Sequence, residues 1–368
     1  MQVPFFAYPK HFLSDEDAFV DIFRSVMARG AFIQQQELLA FEANLAGFIG
    51  TKHAIGLADG TNALILGLRA LGIGTGDEVI FPSHTFVATH GAIVAVGATP
   101  VPVDMGEDGL MDPGAVEAAI TSRTRMILPV QLNGRICAME RILEIARQHG
   151  LLVAEDSCQA LGARLDGCFA GTFGTFGAFS FYPAKALGCF GDGGALVTDS
   201  DEIARQVRAM RDHGRNERGE VVMSGTNARL DNLQAAILDF KLKTFRETIA
   251  RRRDIAGRYD RAFREIEGMV LPPAPDSDPR RFDTFQNYEL CAVQRDALRA
   301  HLGKRGIGTM VQWGGRAVHQ IAALGHACSL PRTERFFEYC LMLPMNQYLT
   351  DAQVDHVIGA VREFHGHA

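Results

Sequence analysis

Between about residues 54 and 198, short apolar runs alternate with helical periodicity. The runs Ala54–Leu57, Glu78–Phe81, Thr99–Val103, Met126–Val130, Leu151–Ala154 and Gly194–Val197 are predicted strands. Between them, residues 63–71 place Leu64, Leu68 and Leu71 on one helical face, and residues 139–149 repeat that spacing. Strands apolar on both faces and separated by helices predict an α/β fold with a mostly parallel central sheet. Residues 230–266 are almost continuously helical and rich in charge, as a long connector leaving a first domain would be. The proline-rich segment 272–279 breaks the pattern. After it, Asn287–Val293 reads as a strand, Asp296–Arg305 as a helix, Gly308–Trp313 as a strand and Asp351–Phe364 as a final helix. The expected division is a large domain over 1–245, amino-terminal segment included, and a small α+β domain over 246–368.

Composition narrows the function classes. The chain has 368 residues, 47% hydrophobic and 22% charged, which suits a globular protein of about two domains. A formal net charge of −6, with its lysines and arginines spread along the chain, offers no basic field for nucleic acid. The densest basic run, Arg251–Arg253, lies among acids in a helical stretch and reads as a solvated face. No apolar run approaches the ~20 residues that span a bilayer. Prolines in the first ten residues argue against a signal peptide. Seven scattered cysteines without a Cys-x-x-Cys pair read as free thiols in a reducing, cytosolic setting.

Candidate chemistry centres on Lys185, in Phe179-Ser-Phe-Tyr-Pro-Ala-Lys185, followed by the glycine-rich stretch 187–194. Asp156 ends the apolar run 151–154, so its side chain emerges at the carboxyl end of a strand, where open α/β sheets bind ligands. A lysine amine, a strand-end acid and glycines that admit a flat ring are what pyridoxal phosphate (PLP) requires. Gly60 and Thr61 stand at a strand-to-helix turn suited to an anion, although the turn could equally be a plain helix cap by Asp59 or Thr61. Ser180 could donate to a phosphate or only to backbone. Phe86 could lie on an aromatic cofactor or in the core, and Asn227 could be no more than the cap of the long helix. Dinucleotide, Walker, zinc-protease and nucleophile-elbow motifs are absent, and no metal site is expected.

Taken in order, these segments resemble the DegT/StrS family of PLP-dependent aminotransferases acting on nucleotide-linked keto sugars. The likeness runs from Leu39-Ala-Phe-Glu42 through Gly60-Thr-Asn-Ala-Leu64, Glu155-Asp-Ser-Cys-Gln159, the Lys185 segment and Gly191-Asp-Gly-Gly194 to Asn227-Ala-Arg-Leu-Asp-Asn232 and Leu343-Pro-Met345. It implies the aspartate-aminotransferase fold (PLP fold type I). Lys185 would hold PLP as an internal aldimine and shuttle a proton, and Asp156 would pair with the ring nitrogen. Gln159 would bond the ring hydroxyl and Phe86 would stack on the ring. Gly60, Thr61 and Ser180 would hold the phosphate, with Asn227 reaching it from the other subunit of a homodimer. Glutamate is the implied amino donor and pyridoxamine phosphate the implied intermediate form. Lysine at 185, where sugar dehydratases of the family carry histidine, favours transamination. Ala186 stands where many relatives have asparagine, and Val311-Gln-Trp-Gly-Gly315 where many have a His-Tyr-Pro-like strand. Both departures bear on the substrate: a free keto sugar or sugar acid stays open as acceptor, as do another fold-type-I reaction and a non-catalytic regulator.

Overall fold

The computed structural model describes residues 1–366. Its large sheet runs in the order Thr99–Val103, Glu78–Pro82, Thr124–Ile127, the run Leu152–Val153 with Glu155–Asp156, Gly177–Ser180, Gly194–Thr198 and His53–Leu57. Every strand is parallel except Gly194–Thr198, which is antiparallel to both its neighbours. The expected mostly parallel sheet is therefore present, with strand Gly177–Ser180 added to those read from the sequence.

Strand alternation sorts the buried side chains into two layers. Phe81, Met126, Ala154, Ala178 and Leu196 face a core closed by the helices Gly60–Ala70, Val87–Ala95 and Asp201–Arg211. Their neighbours Ile80, Ile127 and Val153 face the helix Met139–His149, and Phe179 and Val197 face the helices Gln36–Ile49 and Asn232–Leu242. The helices start where capping chemistry puts them. Asp59 accepts the Asn62 N–H at 2.7 Å, and Ser200 accepts that of Ile203 at 3.3 Å.

A second core gathers around the antiparallel strands Met269–Val270, Tyr288–Ala292 and Cys340–Leu343 with the helices Arg295–Lys304 and Asp351–Phe364. Val3 joins it from the far end of the sequence. Two local expectations are corrected. The stretch 230–266 is not one helix: Asn232–Leu242 stops at Lys243, and a new helix, Phe245–Phe263, starts after Thr244. Asn227 caps neither, because the first helix begins at Asn232 behind Asp231. Gly308–Trp313 is not a strand. Met310 makes one bridge to Met342, after which Trp313, Gly314 and Gly315 all take positive φ (48°, 71° and 78°), a left-handed path no strand allows.

A buried ion pair ties the helix Gln36–Ile49 to the sheet. Glu42 accepts from the Arg211 guanidinium and, at 2.8 Å, from the Gly56 N–H; Arg211 also donates to the Gly56 carbonyl at 2.9 Å. Both side chains are under a tenth exposed. Glu42→Ala leaves the guanidinium buried and unpaired, so urea unfolding should show a loss of about 3–5 kcal/mol.

Candidate active site

The carboxyl ends of the parallel strands converge on one cavity of about 580 Å³. Gly60, Thr61, Phe86, Asp156, Gln159, Ser180 and Lys185 all line it. Asn227, the remaining candidate, lies outside it and is exposed on its own subunit.

Asp156 reaches the cavity because its strand alternates at the sheet edge. Glu155, on one face, is buried and accepts the N–H groups of Gly171, Phe173 and Gly174 at 2.6–2.9 Å and the Gln131 amide at 2.7 Å. Asp156 falls on the opposite face and is 6% exposed. Thr89 donates to its Oδ2 at 2.7 Å, and the Cys158 N–H to its Oδ1 at 3.2 Å. Thr85 lies 2.8 Å from Thr89 and orients its hydroxyl. Both carboxylate oxygens are thus engaged by donors fixed in the protein.

Lys185 follows the turn made by its own N–H and the Tyr182 carbonyl at 2.8 Å. Gln286 clamps both neighbours: its amide oxygen accepts the Ala186 N–H at 2.8 Å, and its amide nitrogen donates to the Ala184 carbonyl at 2.9 Å. Ala186 is buried beneath this clamp. Burial lowers the Lys185 amine from its ordinary range, while the nearby Cys158 and Asp156 oppose the shift. The amine is thereby made available as a nucleophile and base.

Gln159 has one amide end spoken for. Its Oε1 accepts the Asn133 N–H at 3.0 Å and the Asn287 amide at 3.3 Å. Its Nε2 is left to donate to a ligand oxygen. At the other end of the cavity, Gly60 and Thr61 open a helix whose first N–H groups have no partner within the helix. A Cβ on Gly60 would come within 2.7 Å of the Cys158 sulfur and 3.0 Å of the Ser180 Cβ, so only glycine admits this approach. The Phe86 ring is 54% exposed and presents a face to the cavity. Trp313 also lines the cavity and packs 5.5 Å from the His84 ring and 6.2 Å from Phe337.

Thr89, Gln286, Asn133 and Asn287 escaped the sequence reading. Only Thr89 carried a local signal, in the first turn of the helix that Phe86 precedes. The other three act through partners far along the chain.

A lysine amine in the cavity, a carboxylate with donors on both oxygens, an amide donor and a helix-end anion cradle fit PLP: its aldehyde, ring nitrogen, ring hydroxyl and phosphate. Fold and site together define an α/β enzyme of fold type I with PLP as its cofactor. Residues 14–362 match the DegT/DnrJ/EryC1/StrS aminotransferase family, and the chain belongs to it. Among relatives, the dTDP-3-amino-3,4,6-trideoxy-alpha-D-glucose transaminase of Streptomyces venezuelae is 43% identical over 344 residues, covering 92% of this chain and 90% of the relative. A pleiotropic regulatory protein of Geobacillus stearothermophilus is 37% identical over 371 residues, covering 100% of both. The crystal structure of S. venezuelae DesV in complex with a ketimine intermediate is similar with a TM-score of 0.95 and 40% identity, over 100% of this chain and 99% of that one.

Thr89→Val keeps the shape and removes one hydrogen bond to a charged acceptor. It should lower kcat/KM roughly tenfold while leaving the fold intact, read by steady-state kinetics beside circular dichroism.

Proposed function

We propose that this aminotransferase moves the amino group of glutamate to a keto group on a nucleotide-linked deoxysugar. The observation that carries the reading is the Lys185 amine, kept from water in the cavity that also presents Asp156 and Gln159. The similarity to a transaminase named for a dTDP-linked amino sugar supports the acceptor class. PLP, when bound, supplies an aldehyde that accepts the amino group and a cationic ring that withdraws electrons. The side chains then divide the work. Asp156, held by Thr89, keeps the ring nitrogen protonated. Gln159 donates its amide N–H to the ring oxygen. Gly60, Thr61 and Ser180 anchor the phosphate, and Phe86 lies against the ring. The Lys185 amine would serve as the base that moves a proton from the donor carbon during transfer. Trp313 offers a flat ring to the acceptor at the mouth.

The working unit proposed is a homodimer in which Asn227 completes the phosphate site of the partner. Its exposure on its own subunit and the exposed apolar side chains Phe32, Leu39, Phe86 and Tyr182 support this arrangement. Among the described residues no helix is long and apolar enough to cross a membrane, and a cytosolic enzyme is the matching proposal. The division into units over 1–245 and 246–368 is retained on the same footing, the helix Phe245–Phe263 sharing its apolar side chains between two cores. A free keto sugar or sugar acid remains the alternative acceptor, because the loop at Gln312–Gly315 departs from the common pattern. One full-length relative is named a pleiotropic regulatory protein, so the spectral test also separates turnover from cofactor binding without it.

Purified protein should be yellow, and glutamate should bleach that band; no response to any amino donor would support the regulatory reading. Return of the colour with keto-sugar nucleotides, but not with free keto sugars, checks the acceptor. Lys185→Ala and Asn227→Leu should each be nearly inactive. Mixed, unfolded and refolded together, they should recover about a quarter of the wild-type rate, because half of the dimers then carry one intact site.

A further inference from the structure

Glu289 stands on the strand Tyr288–Ala292 behind Gln159, and none of the steps above uses it. Its side chain is 3% exposed. Oε2 accepts the Asn133 amide at 2.7 Å and the Gln312 amide at 2.9 Å, whereas Oε1 is buried without a partner. His84 Nε2, 3.7 Å from Oε2, is buried and equally unpartnered. The other ring nitrogen, Nδ1, lies 2.8 Å from the Gly109 carbonyl, which can only accept, so Nδ1 carries the proton and Nε2 of the neutral ring is a lone pair. An ionised Glu289 would therefore set negative oxygen against a lone pair, both away from water. A proton on the acid removes that charge; at 3.7 Å the pair is too far apart for a hydrogen bond, so the relief is electrostatic.

We propose that Glu289 is a positioning residue for Gln159, held as a neutral, protonated acid whose Oε2 keeps Asn133 and Gln312 in place beside the unprotonated His84 Nε2. The proposal rests on the reading that Gln159 meets the cofactor ring. Committing the Asn133 amide nitrogen to Glu289 turns the Asn133 Oδ1 toward the Asn287 and Gln312 amides, both at 2.8 Å. Asn133 and Asn287 then saturate the oxygen of Gln159 and leave only its N–H for the cavity. Gln312 carries the same constraint to Trp313, the next residue in the cavity wall.

The surroundings put the proton on the acid and not on the ring. Burial raises Glu289 to about 7 against the two amide bonds, and burial lowers His84 to about 4. The neighbouring thiols of Cys291 and Cys340 are pushed far upward by burial and stay neutral. Arg295 is turned to the Phe337 and Cys340 carbonyls. Across a small cavity of about 180 Å³ lie Glu107, Asp108 and Arg135, the last bonded to the Asp108 carbonyl at 2.6 Å and facing Asp283 at 3.6 Å.

Glu289→Gln tests this directly, because glutamine accepts from both amides and is neutral at every pH, as the protonated acid is. Holoenzyme carrying Glu289→Gln should match the wild-type visible spectrum at about pH 6. Between about pH 6 and 9 the wild type should show an extra inflection near 7 that the variant lacks. Glu289→Leu, which keeps neither bond, should bind PLP about tenfold more weakly. Persistence of the inflection in Glu289→Gln, or damage equal to that of Glu289→Leu, overturns the proposal.

Thermal unfolding gives a readout free of the cofactor contact. The folded acid keeps its proton up to about 7, whereas the unfolded chain releases it near 4.5. Wild-type stability therefore falls as pH rises through that window, and that of Glu289→Gln does not. The Tm advantage of the variant should widen from about pH 5 to about pH 8, the opposite contribution of His84 cancelling between the two proteins. A constant gap removes the protonated acid. A Gln159→Leu holoenzyme with an unchanged spectrum would instead remove the contact of Gln159 with the ring and leave the Tm test standing.

Discussion

The seating of the Lys185 amine in a cavity beside the Asp156 carboxylate is the constraint around which this structure is arranged. Burial lowers the amine, and the carboxylate of Asp156 pulls the other way. The two effects oppose each other, and the acid has its own donors, Thr89 and the Cys158 N–H. The sheet order makes this possible. Placing Glu155–Asp156 beside Gly177–Ser180 brings acid and lysine segment to neighbouring strand ends, twenty-odd residues apart in sequence but adjacent in space.

Around that pair, positions are set mainly by amides. Gln286 grips the backbone on both sides of Lys185, and Asn133, Asn287 and Gln312 fix the orientation of Gln159. Amides suit the task because they supply donors and acceptors in fixed geometry without adding charge to a cavity where charge decides chemistry. Much of this shell comes from residues 284–313, so the smaller core helps shape a site whose cofactor-facing groups sit mostly on the larger one.

Legibility followed the distance over which each feature is encoded. Alternating apolar runs marked six strands, and a strand-end acid with a lysine before glycines marked the chemistry, because both are local patterns. The turn at Gly60 was ambiguous for a physical reason: Asp59 caps the helix, and the same helix end lines the cavity, so the cap is met while the anion site stays a proposal. The Gln286 clamp joins residues about a hundred positions apart, and the Asn133–Glu289 bond spans 156, so neither leaves a trace in any short window. The two misread segments share a cause. Neither the break at Lys243–Thr244 nor the turn at Trp313 is announced by proline, and Trp313, at positive φ, packs its ring against His84 and Phe337.

That packing bears on acceptor choice. A tryptophan held in a left-handed conformation has less freedom than one in a strand, and the strain persists only where neighbours overdetermine the residue. Gln312 is bonded to Asn133 and Glu289 on one side, while two glycines with positive φ follow Trp313 on the other. The indole is thus a fixed wall and not a flap. A fixed flat wall discriminates by shape, favouring an acceptor that presents one face of its ring and rejecting bulk there. The amide shell behind that wall holds Gln159 independently of the indole.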